Sequence, residues 1–147
     1  MAPRIVSTSR VIKATPDAIF AVLSDPSKHP IIDGSGSVKQ PVGDSSRLVL
    51  GSTFSMDMQM GTKYKTANVV CEYQEDRLIA WHHKANLIWR YELEPVDGGT
   101  KVTESFDYHH FLGLFIPLLG WQKKNLANME KTLAKLDAYV RTGDPEG

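Results

Sequence analysis

Residues 116–141, IPLLGWQKKNLANMEKTLAKLDAYVR, decide the fold. Within them Leu119, Gln122, Leu126, Met129, Leu133, Leu136 and Val140 recur at alternating spacings of three and four, the repeat of one face of an α-helix. Lys123, Lys124, Glu130, Lys131, Lys135 and Asp137 take the opposite face. The pattern predicts one amphipathic helix of roughly seven turns at 3.6 residues per turn, ended by Gly143-Asp144-Pro145. Such a helix must bury its stripe against something. A coiled-coil seam is one solution, and an open sheet is the other.

The preceding residues supply the sheet. In residues 53–60, TFSMDMQM, Phe54, Met56, Met58 and Met60 alternate with Thr53, Ser55, Asp57 and Gln59, the period of a half-buried antiparallel strand. Gly61-Thr62 turns this strand into residues 63–73, and Glu75-Asp76 turns that one into residues 78–83. In residues 87–94, Leu87, Trp89, Tyr91 and Leu93 oppose Ile88, Arg90, Glu92 and Glu94. Asp97-Gly98-Gly99 is a hairpin signal before residues 100–109. Residues 4–13 read as a first strand, and residues 37–42 with 47–50 as material for one more. Thr15-Pro16-Asp17 opens a short helix with Ile19, Phe20 and Leu23 on one face, and Asp25-Pro26 opens a single further turn that ends before Pro30.

The 147 residues suit one domain, residues 1–147, that buries roughly 70% of its unfolded surface. Lys plus Arg and Asp plus Glu are each 17, so the basic excess of a nucleic-acid binder is missing. Cys71 is the only cysteine, consistent with a reducing compartment. The most apolar run, residues 111–121, is broken by Gly113 and Pro117 and falls far short of the ~20 residues of a bilayer span. The expectation is a cytoplasmic protein with no transmembrane segment.

One strand, two short helices, a run of antiparallel strands and a long last helix form an order that resembles the START-like superfamily (SRPBCC, or helix-grip, the birch-pollen-allergen fold). Residues 14–26, ATPDAIFAVLSDP, look like its opening helix. Residues 29–36, HPIIDGSG, with 51–56, GSTFSM, and 98–104, GGTKVTE, are similar to its polyketide cyclase/dehydrase branch. The resemblance implies an α+β fold: a curved antiparallel sheet of about seven strands wrapped around the C-terminal helix, with an apolar cavity between. Members of the superfamily bind lipids, sterols, polyketides, hormones or quinones, and some catalyse cyclisation or dehydration. The branch carries no common catalytic motif that could be transferred residue by residue, and no cofactor is implied.

On this frame the candidate cavity residues are Phe54, Met56, Met58, Met60, Trp81, Trp89, Tyr91, Phe106, Tyr108, Phe115, Gln122, Leu126 and Met129. Flexible thioethers and amphipathic aromatics suit a wall that accepts varied apolar shapes, and the same residues equally make an ordinary core. Asp33, beside Gly34 and Gly36, reads either as an acid or base at the cavity mouth or as a turn-stabilising carboxylate. Glu104 shares a face with Val102, Phe106 and Tyr108, so it points inward and needs a partner such as a tyrosine hydroxyl, unless a bulge turns it outward. Tyr64 and His83 complete the candidate acid–base set. Neither pair, His82-His83 or His109-His110, can close on a metal ion by itself, because strand neighbours face opposite ways; one member of each could converge, but no spacing known to build a metal site appears.

Three functions follow. The chain binds or carries a small hydrophobic molecule; or it is a cyclase or dehydratase that uses Asp33, Glu104, Tyr64 or His83; or it docks on a protein, including a second copy, through residues 111–121. A dry, wholly apolar cavity favours the first. A cavity-facing carboxyl with a strongly raised pKa favours the second. A closed core leaves the third.

Overall fold

The structure is a computed structural model that describes residues 5–35, 38–42, 47–60, 62–83, 87–107 and 118–147. Strand β1 (Ile5–Ile12) leads into helix α1 (Pro16–Leu23), a 3-10 turn (Pro26–Lys28) and the short helix α2 (His29–Ile32). Six strands follow: β2 (Val38–Val42), β3 (Thr53–Met60), β4 (Thr62–Gln74), β5 (Leu78–His83), β6 (Leu87–Val96) and β7 (Gly99–Asp107). Helix α3 (Leu118–Thr142) ends the fold. The strands make one antiparallel sheet in the order β1-β7-β6-β5-β4-β3-β2, a meander whose last strand is capped by the first. The curled sheet and the C-terminal helix it holds are those expected from the sequence.

Three details depart from expectation. Pro30 does not follow the second helix; it lies inside α2, in the first turn, where its missing N–H costs nothing. The 3-10 turn and α2 run on from each other, and Asp25 caps the former by accepting from the Ser27 N–H at 3.0 Å. Residues 47–50 form no strand, because the Leu48 N–H bonds the Ser24 carbonyl at 2.7 Å and the Leu48 side chain inserts beneath α1.

The even-numbered residues of β1 and β7 and the odd-numbered residues of β6 point inward, where Ile12, Val102 and Leu93 are buried. Leu133 and Leu136 of α3 meet them together with Ile19, Phe20 and Leu23 of α1, so α1 and the second half of α3 close this end of the sheet. A separate cluster, built on Phe106 and Met129 with Trp89 against them, lies toward the first half of α3. On the convex face Arg90 grips Glu72 through two bonds of 2.7 and 2.6 Å that reach over Ala80, the residue paired with both. The register shift between Val70 and Glu72 makes Cys71 the extra residue of a bulge.

A carboxylate fastens α3 to the edge strand. Asp137 accepts from Arg10 Nε at 2.7 Å and from Arg141 Nε at 2.6 Å. Burial acts to raise its pKa, but the hydrogen bonds from Arg141 and Arg10 outweigh burial and hold it below the ordinary 3.8. A depressed carboxyl adds stability above its unfolded-state value, and that stability is lost as pH falls through the folded-state value. Asp137→Asn should therefore cost on the order of 1 kcal/mol near neutral pH, with the deficit shrinking below pH 3.8; urea melts of both proteins at pH 7 and pH 3 measure it.

Candidate functional site

Where the first half of α3 crosses the sheet, the hollow is unfilled. A cavity of about 370 Å³ opens there, room for roughly a dozen waters and within the usual range for small-molecule sites. Phe54, Met56 and Met58 of β3 and Asn68 of β4 form one wall. Trp81, Trp89, Tyr91, Glu104 and Phe106 form the floor across β5, β6 and β7. Asn125, Asn128, Met129 and Thr132 come down from α3, and Leu23, His29 and Ile32 close the side toward α1.

The aromatic floor follows from strand register. Trp81 stands opposite Trp89, and Trp89 opposite Phe106, with those last two ring centroids 4.3 Å apart. His29 stacks on Trp81 at 5.0 Å and meets the edge of Phe54 at 5.6 Å. Its Nε2–H donates to the Leu23 carbonyl at 2.8 Å. Burial lowers the His29 pKa, against that bond, so the ring is neutral at pH 7.

Glu104 is the charged anomaly. It is 3% exposed, and the two-residue turn at Asp97-Gly98 sets it directly opposite Tyr91. Gly98 supplies the positive φ, 84°, that this turn needs. The Tyr91 hydroxyl faces the carboxyl as a hydrogen-bond donor, while Glu104 Oε1 has no partner. Burial raises the Glu104 pKa to about 8; the Tyr91 bond opposes the shift and the charge of Asp33 adds to it. The Tyr91 phenol is pushed well above 10 by burial first and by Glu104 next. At neutral pH Glu104 is therefore a carboxylic acid. On α3, Asn125 Nδ2 is likewise buried without a partner.

Asp33 lies at the mouth, where its carboxylate accepts from Ser35 N–H at 3.1 Å, Ser35 O–H at 2.8 Å and Val38 N–H at 3.1 Å. Its geometry is that of a turn stabiliser. The turn docks on α3 through Gly34, whose N–H donates to Thr132 Oγ1 at 2.9 Å. A Cβ on Gly34 would come within 2.4 Å of the Asn128 carbonyl oxygen, so only glycine fits.

The structure thus brings Glu104, Asp33, Phe54, Met56, Met58, Trp81, Trp89, Tyr91, Phe106 and Met129 to one cavity. Leu126 is not among its lining. At 100° per residue the lining set Asn125, Asn128, Met129 and Thr132 centres nearly a third of a turn, about 110°, away from Leu126. Tyr108 and Phe115 lie outside the described residues, as do the side chains of Met60, Tyr64, His83 and Gln122. His109, His110 and the segment 111–117 are outside them too. Among the described residues no three metal-capable side chains gather, and no helix is long and apolar enough to cross a membrane. Sequence reasoning missed His29, Asn68, Asn125, Asn128 and Thr132; the uncharged polar residues spaced three and four apart on α3 were the available signal.

A curled sheet, a gripping helix and this cavity are matched by sequence. Residues 3–141 fit the family described as "Polyketide cyclase / dehydrase and lipid transport". The chain belongs to that family. Rv0088, an uncharacterized protein of Mycobacterium tuberculosis H37Rv, is 37% identical over 95% of this chain, which spans 66% of that relative's length. Two crystal structures share the fold at low identity. NE0264 of Nitrosomonas europaea superposes with TM-score 0.74 at 16% identity, covering 97% of each chain. DynU16, of the dynemicin biosynthetic locus, gives 0.72 at 13% over 98% of this chain and 49% of its own.

The folded-state pKa of Glu104 exceeds its unfolded value of 4.5, so its ionisation opposes folding. Stability from this group is complete below pH 4.5 and is lost as pH rises through about 8. Glu104→Gln removes the effect. The variant should gain on the parent by up to about 1.4 kcal/mol per pH unit over that window, levelling off above it; denaturant midpoints from pH 4 to 9.5 would record this.

Proposed function

We propose that this protein binds one small, mainly apolar molecule in the cavity between sheet and helix, with aromatic rings of the ligand on the Trp81–Trp89–Phe106 floor. The observation that carries this reading is an open, largely apolar cavity with a buried, incompletely partnered polar pole, Tyr91–Glu104 with Asn125, in a domain whose far end holds the buried apolar cluster. Two partnerless buried side-chain atoms among the described residues are costly unless something completes them. Membership of a family described by cyclase, dehydrase and lipid-transport roles supports the same reading. The ligand of the DynU16 locus is not carried over, because a likeness at 13% identity speaks to the fold alone.

Binding has a direct test. Native mass spectrometry of freshly purified protein, followed by organic extraction, should find a stoichiometric apolar or aromatic compound, or an empty chain that takes up an apolar fluorophore and quenches tryptophan emission. Met58→Trp, which narrows the wall, should weaken uptake about tenfold or more with the far-UV circular dichroism unchanged. An empty protein that also takes up no apolar probe would sink the proposal.

The second reading is an acid-assisted cyclisation or dehydration, favoured by one specific observation: the cavity-facing Glu104 keeps its proton near neutrality. Such an acid can protonate a departing hydroxyl, which leaves as water, provided a base takes the α-proton. Asp33 is engaged by its turn, and the side chains of Tyr64 and His83 are not among the described ones. If the protein turns over a hydroxy-ketone, the rate should fall on the alkaline side with an apparent pKa near 8, and Glu104→Gln should lower kcat by about 100-fold with little change in KM. A pH-independent rate, or an unimpaired variant, would leave only the binding role.

A further inference from the structure

We infer that the cavity selects ligands by one uncharged hydrogen-bonding oxygen, a ketone or similar neutral carbonyl, and rejects carboxylates and ammonium groups of the same shape. This rests on the binding role proposed above and specifies its ligand class.

The argument begins with the two buried polar atoms that lack partners, Glu104 Oε1 on β7 and Asn125 Nδ2 on α3. They belong to opposite layers of the fold and to residues that line the same cavity. Asn125 Nδ2 is a donor. A protonated Glu104 has one O–H to give, and Oε1 is its oxygen without a partner, so it too presents a donor. Two donors that find no acceptor among the described residues ask for an oxygen lone pair.

The charge state of that oxygen follows from the surroundings. The titratable groups facing Glu104 among the described residues are Tyr91 from β6, Asp33 from the mouth turn and His29 from α2. His29 and Tyr91 are neutral at pH 7, and neither is cationic. β1 sets Thr8 opposite Glu104, and the α3 lining residues are uncharged. Among the described residues no cation therefore stands ready to receive a buried carboxylate, which would lose its hydration without compensation. An ammonium group could draw a charge from Glu104, but it would leave Asn125 Nδ2 facing a cation, donor against donor. A neutral carbonyl satisfies both atoms and asks for no ionisation.

Four probes of one shape separate these cases: naphthalene, 2-acetylnaphthalene, 2-naphthoate and 2-naphthylmethylammonium, titrated by tryptophan quenching and calorimetry at pH 6.5. The ketone should bind at least tenfold more tightly than the carboxylate or the ammonium, and more tightly than naphthalene. Its affinity should fall between pH 7 and 9.5 as Glu104 ionises, and that dependence should vanish in Glu104→Gln, whose amide keeps an uncharged donor. Asn125→Leu should weaken the ketone by a larger factor than it changes naphthalene, so that the ketone's advantage over naphthalene shrinks. A carboxylate or ammonium that binds as tightly as the ketone overturns this inference while the binding role stands. If none of the four binds, naphthalene included, both fall.

Discussion

A single helix laid in the hollow of a seven-stranded sheet cannot fill it from end to end, and the side chains of α3 determine which end stays open. Toward its C-terminus the inward positions are Leu133 and Leu136, and α1 adds Ile19, Phe20 and Leu23 against them. Each such side chain contributes roughly 1.5–3 kcal/mol by burial. Toward its N-terminus the inward positions are Asn125, Asn128, Met129 and Thr132, and nothing equivalent to α1 lies beneath them among the described residues. The packed end carries the stability and the other end keeps the cavity, a void that would cost stability were it not offset elsewhere.

The open end tolerates one carboxyl, and the reason is register. The turn at Asp97-Gly98 pairs Val96 with Gly99, so five residues back along β6 and five on along β7 Tyr91 meets Glu104. A hydroxyl opposite the acid supplies one hydrogen bond at the spacing of a cross-strand pair. Burial then keeps the proton on the acid up to about pH 8. An ionised Glu104 would need a cationic partner, whereas a protonated one needs only a lone pair. The same strand geometry lines up Trp81, Trp89 and Phe106 beside it, so the apolar floor and its polar pole are consequences of two successive strand pairings, β5–β6 and β6–β7.

Much of this was legible before any coordinates. The period-two alternation of β3 and β6 and the three-and-four spacing of α3 gave the element types, because burial on one face leaves a repeat that local sequence records. Glu104 could be turned inward by parity alone, and a tyrosine partner could be expected. That the tyrosine is Tyr91 needed the hairpin counted residue by residue from its turn. Leu126 misled because the helix stripe was drawn through its most apolar residues, while the cavity faces the uncharged polar ones beside that stripe. His29 was hidden for another reason. Its role comes from stacking on Trp81, more than fifty positions away, and no local pattern encodes such a contact. Residues 47–50 looked like strand because Leu48, Val49 and Leu50 are apolar and in part β-branched. One tertiary bond to Ser24 overrides that propensity.

Polar groups near the mouth and polar groups at depth do different things. Asp33 is committed to Ser35 and Val38, and Thr132 to Gly34 and the Asn128 carbonyl. These bonds hold the mouth turn against α3 and leave little for a ligand. Water also competes for whatever remains at a half-exposed site, so discrimination there is weak. At depth a mismatch leaves a buried donor unpaired at a cost of about 1–3 kcal/mol. In the proposed binding role, the power to tell one ligand from another of the same shape therefore lies with Glu104 and Asn125, while the carboxylate most conspicuous in the sequence, Asp33 between an Ile pair and a glycine, shapes the turn beside them.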